Sequence, residues 1–322
     1  MIKYIKFKFL TFVIILLFII ISVFLCELVL RVIGLGDPVI HQGALAWRYS
    51  LAANQTKKRF RNNIVKVNSA GLRANSEWVK KKDNKLILIL GDSVTYGGSK
   101  IDNSQLFSEK LCKHLGRDFT CGNAGTNSYG VLNMVLRSRY DKRIANADIV
   151  IFVVILQDFW RGLNDLETTH FFTANPNKIL PAMEEALNYV GWRHDINRYL
   201  PYRTRPHTNK SLEKNDLDLE NHQIYSSEYA LQNLNQEIKR LMSENKKVFV
   251  FYSPSKSDIY NGPSEFRKKM KNKILNETLN IYDMTSDFEN SSKLKIYVDN
   301  THYDIEGHSL VSDIIHDHLV KN

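Results

Sequence analysis

A serine hydroxyl becomes a useful nucleophile only when a base takes its proton and a third group holds that base in place. Two stretches of the sequence carry residues of those types. In LILILGDSVTYGG, Leu86 to Gly98, five apolar residues run straight into Gly91, Asp92 and Ser93. In YVDNTHYDIEGHSL, Tyr297 to Leu310, Asp299 stands three residues before His302. A strand, a sharp turn, a serine and then a helix would expose the hydroxyl. Gly91 allows a turn where a side chain would clash, and the following helix points its amino end at the site. His302 supplies an imidazole base, and Asp299 a carboxylate able to fix its tautomer. Asp92 is expected to support the turn by hydrogen bonds to nearby amides, and is the rival of Asp299 for orienting the histidine. His308 reads as helix surface. His316 and His318 read as solvent-facing, because no third ligand is spaced with them. The chemistry therefore calls for no metal and no cofactor.

These residues need a scaffold that brings distant segments to one edge. From Lys85 onward, strand-length apolar runs at Leu86–Leu90, Ile149–Leu156, Lys247–Tyr252 and Leu294–Val298, with a shorter one at Phe119–Cys121, alternate with helical patterns. The helical stretches are Ser104–Leu115, Val131–Arg143, Glu228–Glu244, Glu265–Leu275 and Ile305–Leu319. Such alternation predicts a parallel sheet covered on both faces. Roughly seventy residues separate Leu156 from Glu228, far more than an ordinary connection needs. Residues 160–225 therefore read as an insertion, either a substrate lid or a structural embellishment. It carries Trp160, Phe171, Phe172, Trp192, Tyr199 and Tyr202.

The amino-terminal part has a different character. Residues Phe9 to Cys26 carry no charge and, with Leu28–Ile33 behind them, reach the ~20 apolar residues a helix needs to cross a bilayer. No small-residue cleavage site follows, which favours a retained anchor over residues 1–33. Lys3, Lys6 and Lys8 precede the run and only Arg31 follows closely, so the positive-inside bias places the amino terminus in the cytoplasm and the remaining chain outside the inner membrane. Residues 34–84 are polar and irregular and read as a stalk or lead-in segment. The chain carries 44 Lys and Arg against 34 Asp and Glu, a formal charge of +10, which suits an anionic neighbour. The basic residues are scattered, with no zinc-finger spacing and no aromatic stripe, so no nucleic-acid partner is expected. Cys112 and Cys121 would face an oxidising space, as a candidate disulfide or as two buried free thiols.

The motifs together resemble the SGNH (GDSL-type) hydrolase superfamily: GDSVTYG, then NAG at Asn123–Gly125, then a strand-end acid, then DNTHYDIEGH. The resemblance covers residues 85–322 and implies a flavodoxin-like three-layer α/β/α sandwich with about five parallel strands. It maps the nucleophile to Ser93, the base to His302 and the orienting acid to Asp299. It implies an oxyanion hole made of the Ser93 amide, the Gly125 amide and an asparagine side chain from a Gly-x-Asn-Asp block after the third strand. By register that asparagine falls on Gln157, followed by Asp158, whereas the literal string occurs at Gly162-Leu163-Asn164-Asp165. The lead-in piece VNSAGLR (Asn68, Gly71, Arg73) and the anchor resemble membrane-tethered bacterial members. The expected activity is a serine esterase acting on O-acyl esters, with O-acetyl groups of envelope polysaccharide as the substrate class. An O-acetyltransferase with the same triad and a non-catalytic envelope-binding protein are the alternatives. Oligomeric state is not written in these motifs. With the domain exported, alkaline phosphatase fused to the carboxyl terminus is expected to be active and green fluorescent protein dark; a fluorescent soluble fusion would refute the export topology.

Overall fold

The strand beginning at Lys85 is apolar on both faces, as a strand must be when helices cover both sides of its sheet. The computed structural model describes residues 2–166, 181–193, 216–291 and 295–321. In it, β5 (Lys85–Gly91) and β7 (Ile149–Val154) are buried along their length apart from Lys85. They are the inner strands of a five-stranded sheet that also contains β6 (Phe119–Asn123), β8 (Lys247–Tyr252) and β9 (Ile281–Asp283). All pairings are parallel and the spatial order is β6-β5-β7-β8-β9. Counted within the sheet this is 2-1-3-4-5, the flavodoxin-like order. The order reverses between β5 and β7, so a crevice opens beyond their carboxyl ends, where such sheets bind ligands.

Alternation along β5 divides the core. Leu86, Leu88 and Leu90 face one apolar cluster, shared with α4 (Val131–Tyr140), α6 (Asp216–Ser243) and α8 (Glu265–Glu277). Ile87 and Ile89 face the other, shared with α3 (Phe107–Leu115), α9 (Thr285–Asn290) and α10 (Ile305–Lys321). The three-layer α/β/α class expected from the sequence is thus the observed one. The fifth strand is not where the apolar run suggested. Ile281–Asp283 pairs with β8, because Asn280, at positive φ, turns the chain back along that edge after α8. Of the Leu294–Val298 run, residues 295–298 are described; they lie beyond α9 and, among the described residues, make an isolated bridge, Tyr297 to Tyr303.

Residues 34–84 do not stand off as a stalk. They form two hairpins, β1 (His41–Leu45) with β2 (Arg48–Leu51) and β3 (Gln55–Lys58) with β4 (Ile64–Val67). Trp47, Tyr49, Leu72 and Trp78 are buried in the first core cluster. Tyr49 donates its hydroxyl to the Asn127 carbonyl at 2.6 Å, and Tyr129 donates to that of Tyr49. Ahead of them, α1 (Ile2–Ile33) contains one apolar stretch, Phe7–Ile33, with none of its most apolar window buried. At 1.5 Å per residue its 27 residues extend for roughly 40 Å, enough to cross a bilayer. A helix of this length and composition suits an anchor and equally a signal sequence.

Several single residues differ from expectation. Cys112 and Cys121 are free thiols and not a bridge; Cys121 is buried, and Cys112 Sγ donates to the Phe119 carbonyl at 3.5 Å. His316 and His318 are half-buried: His316 packs edge-on against His114, and His318 against Phe249, Phe251 and Tyr282. His308 is fully buried beneath the Ser93 turn, stacked on Phe107, with Nδ1 accepting the Phe107 amide at 3.3 Å. The helix that carries it packs on α3, so the position that seemed surface faces inward. Burial, reinforced by Arg73 and Lys110, depresses its pKa from 6.5 to about 3.

That depression links stability to pH. The unfolded chain binds the proton below pH 6.5 while the folded chain refuses it, so the contribution is full above 6.5 and lost as pH falls towards 3. His308 alone should then cost about 2 kcal/mol between pH 6.5 and pH 5. His308→Gln keeps an acceptor for the Phe107 amide and removes the titration, so its denaturation midpoint should fall less over this interval than that of wild type. Equal falls in the two proteins would exclude His308 as the source.

Candidate active site

Ser93 owes its position to a turn in which little space is left for side chains. β5 ends at Gly91, Asp92 caps the single-turn helix α2 (Ser93–Tyr96) by accepting the Val94 amide at 2.8 Å, and Gly97 closes the turn at φ 83°. A Cβ at Gly91 would collide with the Thr95 side chain and the Val153 carbonyl. A Cβ at Gly125 would strike the Thr95–Tyr96 backbone, so the loop after β6 lies directly against α2. Both glycines are fixed by close approach.

His302 arrives from the other side on a loop. The Val298 amide donates to the His302 carbonyl and the Asp304 amide to that of Ile296, closing residues 296–304 into a hairpin-like turn. Asn300 ties it to the segment after β8: its carbonyl accepts the Lys256 amide at 2.7 Å and its side chain the Ser257 amide at 2.9 Å. The sequence reading overlooked Asn300, although it lies inside the quoted motif. His302 Nε2 stands 2.8 Å from Ser93 Oγ, and Nδ1 2.7 Å from Asp299 Oδ2. The other Asp299 oxygen accepts the amides of Thr301 and His302 at 2.9 and 2.8 Å. Partial burial raises the Asp299 pKa, but these amides and the imidazole outweigh it and hold the carboxyl below its ordinary range. The pair remains open to solvent, with side chains 37% (His302) and 54% (Asp299) exposed.

Asp92 does not meet the histidine. Its Oδ2 accepts from Arg161 at 2.8 Å, and the same guanidinium nitrogen reaches Asp158 at 2.7 Å and the Tyr129 carbonyl at 3.1 Å. Arg161 therefore joins the Ser93 turn to the turn after β7. Its only sequence signal is a basic residue three beyond Asp158. Asp158 also accepts the Ile155 amide at 3.0 Å. Burial, and then the neighbouring Asp92, push its pKa well up, against the pull of Arg161.

The expected oxyanion donors differ in availability. The Gly125 amide is engaged: it donates to Asn123 Oδ1 at 2.8 Å within its own loop, while Asn123 Nδ2 donates to the Thr95 carbonyl. Gly125 thus serves the close packing, and the structure does not present its amide free at Ser93. Gln157 occupies the turn directly after β7, with Oε1 buried and without a hydrogen-bond partner among the described residues. Asn164 is committed elsewhere, its amide donating to the Ser128 carbonyl at 2.6 Å and its backbone paired with Asn133. Trp160 is half-buried against Phe266 and the first core cluster, which removes it from any exposed stacking surface. Phe171, Phe172, Tyr199 and Tyr202 lie outside the described residues, as do residues 167–180 and 194–215 of the expected insertion.

A serine, an imidazole and a carboxylate in hydrogen-bonded series at the switch point of a parallel sheet form the arrangement a serine hydrolase uses. A family model described as GDSL-like Lipase/Acylhydrolase matches residues 87–315. The chain belongs to this family of ester-hydrolysing serine hydrolases. No curated protein matches the sequence significantly. Similar solved structures include the lipase/acylhydrolase from Enterococcus faecalis, at 14% identity and TM-score 0.42, covering 73% of this chain and 95% of that one. Another is a catalytic mutant of the acetylxylan esterase Axe2 from Geobacillus stearothermophilus, at 13% identity and TM-score 0.42, covering 74% and 94%.

The two candidate amides can be separated by their partners. Gln157→Ala should lower kcat by ~10²-fold with unchanged melting temperature, as removal of an oxyanion donor does. Asn164→Ala should lower the melting temperature, because the Ser128 carbonyl loses its donor, and leave kcat near wild type. The reverse ranking would move the oxyanion role to Asn164.

Proposed function

We propose that this protein is a membrane-anchored serine esterase that removes O-acyl groups, in the first place O-acetyl groups, from cell-envelope polysaccharide. The observation that carries the reading is the uninterrupted series Ser93 Oγ, His302 Nε2, His302 Nδ1 and Asp299 Oδ2, with links of 2.8 and 2.7 Å. Residues 1–33 form the inner-membrane anchor, 34–84 the lead-in layer and 85–322 the hydrolase domain, which lies outside the cytoplasm and carries the 160–225 insertion.

As Ser93 Oγ bonds to the ester carbonyl carbon, His302 Nε2 takes the hydroxyl proton and the carbonyl electron pair moves onto oxygen. The Ser93 amide, at the start of α2, and the Gln157 side chain stabilise that oxyanion. Collapse expels the sugar hydroxyl, which takes the proton from His302, and leaves acyl-Ser93. Water then attacks the acyl carbon and gives a proton to His302; collapse breaks the bond to Ser93 Oγ, releases the carboxylic acid, and His302 returns the proton to Oγ. Asp299 keeps the imidazole in the tautomer that accepts at Nε2 and stabilises the imidazolium. An exposed histidine and aspartate suit an ester carried on a polymer, since the acyl group is reached at the surface. The +10 formal charge favours an acidic polymer.

Turnover of an activated acetyl ester by the full chain in detergent tests the assignment. Ser93→Ala and His302→Ala should each lower kcat/KM by ~10³-fold or more, and Asp299→Ala by less, since triad members act as a unit. A Ser93→Ala protein as fast as wild type would refute it. With short glycans present, free acetate should form faster than acetylated glycan; the opposite partition would make the enzyme a transferase.

A further inference from the structure

One helix of the insertion is bound to the apolar amino-terminal helix. α5 (Pro181–Arg193) begins where the Glu27 carboxylate of α1 accepts two of its first amides, Ala182 at 3.2 Å and Met183 at 2.9 Å. Glu27 is itself buried and paired with Arg31 at 2.8 Å. One turn on, Glu185 forms a buried ion pair with Arg59 and accepts the Gly36 amide at 2.7 Å. The orphan amides of a helix start favour a carboxylate, and a charge beside a membrane span needs such partners. α5 is therefore fastened at two points, to α1 and to the segment that leaves it.

The depth of that attachment follows from the sequence. The uncharged run Phe9–Cys26 spans ~27 Å as a helix, close to the ~30 Å hydrocarbon thickness of a bilayer. Glu27 is the first charge after it, at the outer boundary of the hydrocarbon. α5 starts at this level. Beside its docked face it carries Met183, Leu187 and Val190 at positions i, i+4 and i+7, one stripe of a helix. Leu187 is 67% exposed and Val190 45%, and Leu28, Val29 and Val32, which follow Glu27 on α1, are exposed as well. Glu184 and Asn188 lie on the other side.

We propose that α5 is an interfacial helix, its Leu187 and Val190 seated among the outer-leaflet lipids. The occupant of the stripe is lipid, because Glu27 fastens the start of α5 to α1 at headgroup depth, where amphipathic helices bury their apolar face by ~5–10 Å. The proposal rests on the anchor reading of α1.

The test uses the full chain in nanodiscs of phosphatidylethanolamine and phosphatidylglycerol, one chain per disc. The three native cysteines are replaced by serine, and an environment-sensitive fluorophore is attached at Leu187→Cys, at Phe18→Cys in the middle of α1, or at Tyr260→Cys on the exposed surface of α7 (Lys256–Tyr260). The probe at 187 should emit blue-shifted relative to that at 260. A spin label high on the lipid acyl chain should quench it most strongly, while a deep spin label should quench the probe at 18. Hydrolysis of a soluble ester by each labelled protein checks that the domain is folded. A probe at 187 as water-exposed as that at 260, with the probe at 18 quenched, overturns the proposal and leaves the anchor standing. An unquenched probe at 18 overturns the anchor and the proposal together. Shielding of 187 only in discs holding two chains assigns the stripe to self-association and overturns the lipid occupant.

Discussion

A fully buried guanidinium holds the Ser93 turn together. Arg73 has no carboxylate within ion-pairing distance among the described residues; its donors go to the carbonyls of Tyr96, Gly98 and Ile101 and to Asn103 Oδ1, and its plane lies over the Tyr96 ring. Taking a charge out of water costs several kcal/mol, and burial accordingly lowers the Arg73 pKa. What offsets that cost is the peculiarity of α2. A helix of one turn ends almost as soon as it begins, leaving carbonyls that a longer helix would have satisfied internally. One planar fork collects them. Removing the fork would orphan several buried acceptors at once, which is more damaging than losing the charge itself.

Arg137 does the same for the neighbouring loop. It is also fully buried, donating to the Ala124 carbonyl, Thr126 Oγ1 and the Gly71 carbonyl. The two arginines face opposite ways across the lead-in: Arg73 comes from it to the catalytic domain, and Arg137 reaches from the domain to Gly71. Residues 34–84 are thus tied into the domain beside Ser93. The serine side of the site is consequently rigid by construction, while His302 and Asp299 sit on an exposed loop held largely through Asn300 and the paired tyrosines 297 and 303. Tyr303 meets Ser253 by a hydroxyl–hydroxyl hydrogen bond and Tyr297 donates to the Pro254 carbonyl, so both tyrosines hang the loop from the end of β8. His302 is positioned from the same sheet edge as Ser93, by a separate set of bonds.

This division explains what could be read from the sequence. The four longer strands and the residues of the Ser93–His302 series were legible because each is written locally, as an apolar run or as a motif of a few residues. β9 was not: it is three residues long, half-buried along its length and at the sheet edge, so it needs no apolar run. The run around Ile296 and Tyr297 imitates a strand because it too is buried, but it packs as a turn against α9. Arg73 and Arg137 look like any other basic residues; only the carbonyls left free by distant turns reveal their role. The same holds for Gly125. Its motif marks a backbone that approaches α2, yet which acceptor takes its amide depends on how Asn123 folds back.

The acidic residues around Ser93 raise a question of charge that the series alone does not answer. Asp92 and Asp158 lie on either side of one guanidinium nitrogen. Two ionised carboxylates and one arginine would leave a net negative charge beside the Ser93 turn. Burial and the proximity of Asp92 push the Asp158 pKa up and favour its protonated form. The hydrogen bonds of Arg161 to both acids fasten the Ser93 turn to the Gln157 turn. Asp299, solvated and held ionised by two amides, is left as the carboxylate that faces the imidazolium. Different environments thus push these carboxyl groups in opposite directions, Asp158 up and Asp299 down. Here that separation follows from burial on one side of Ser93 and exposure on the other.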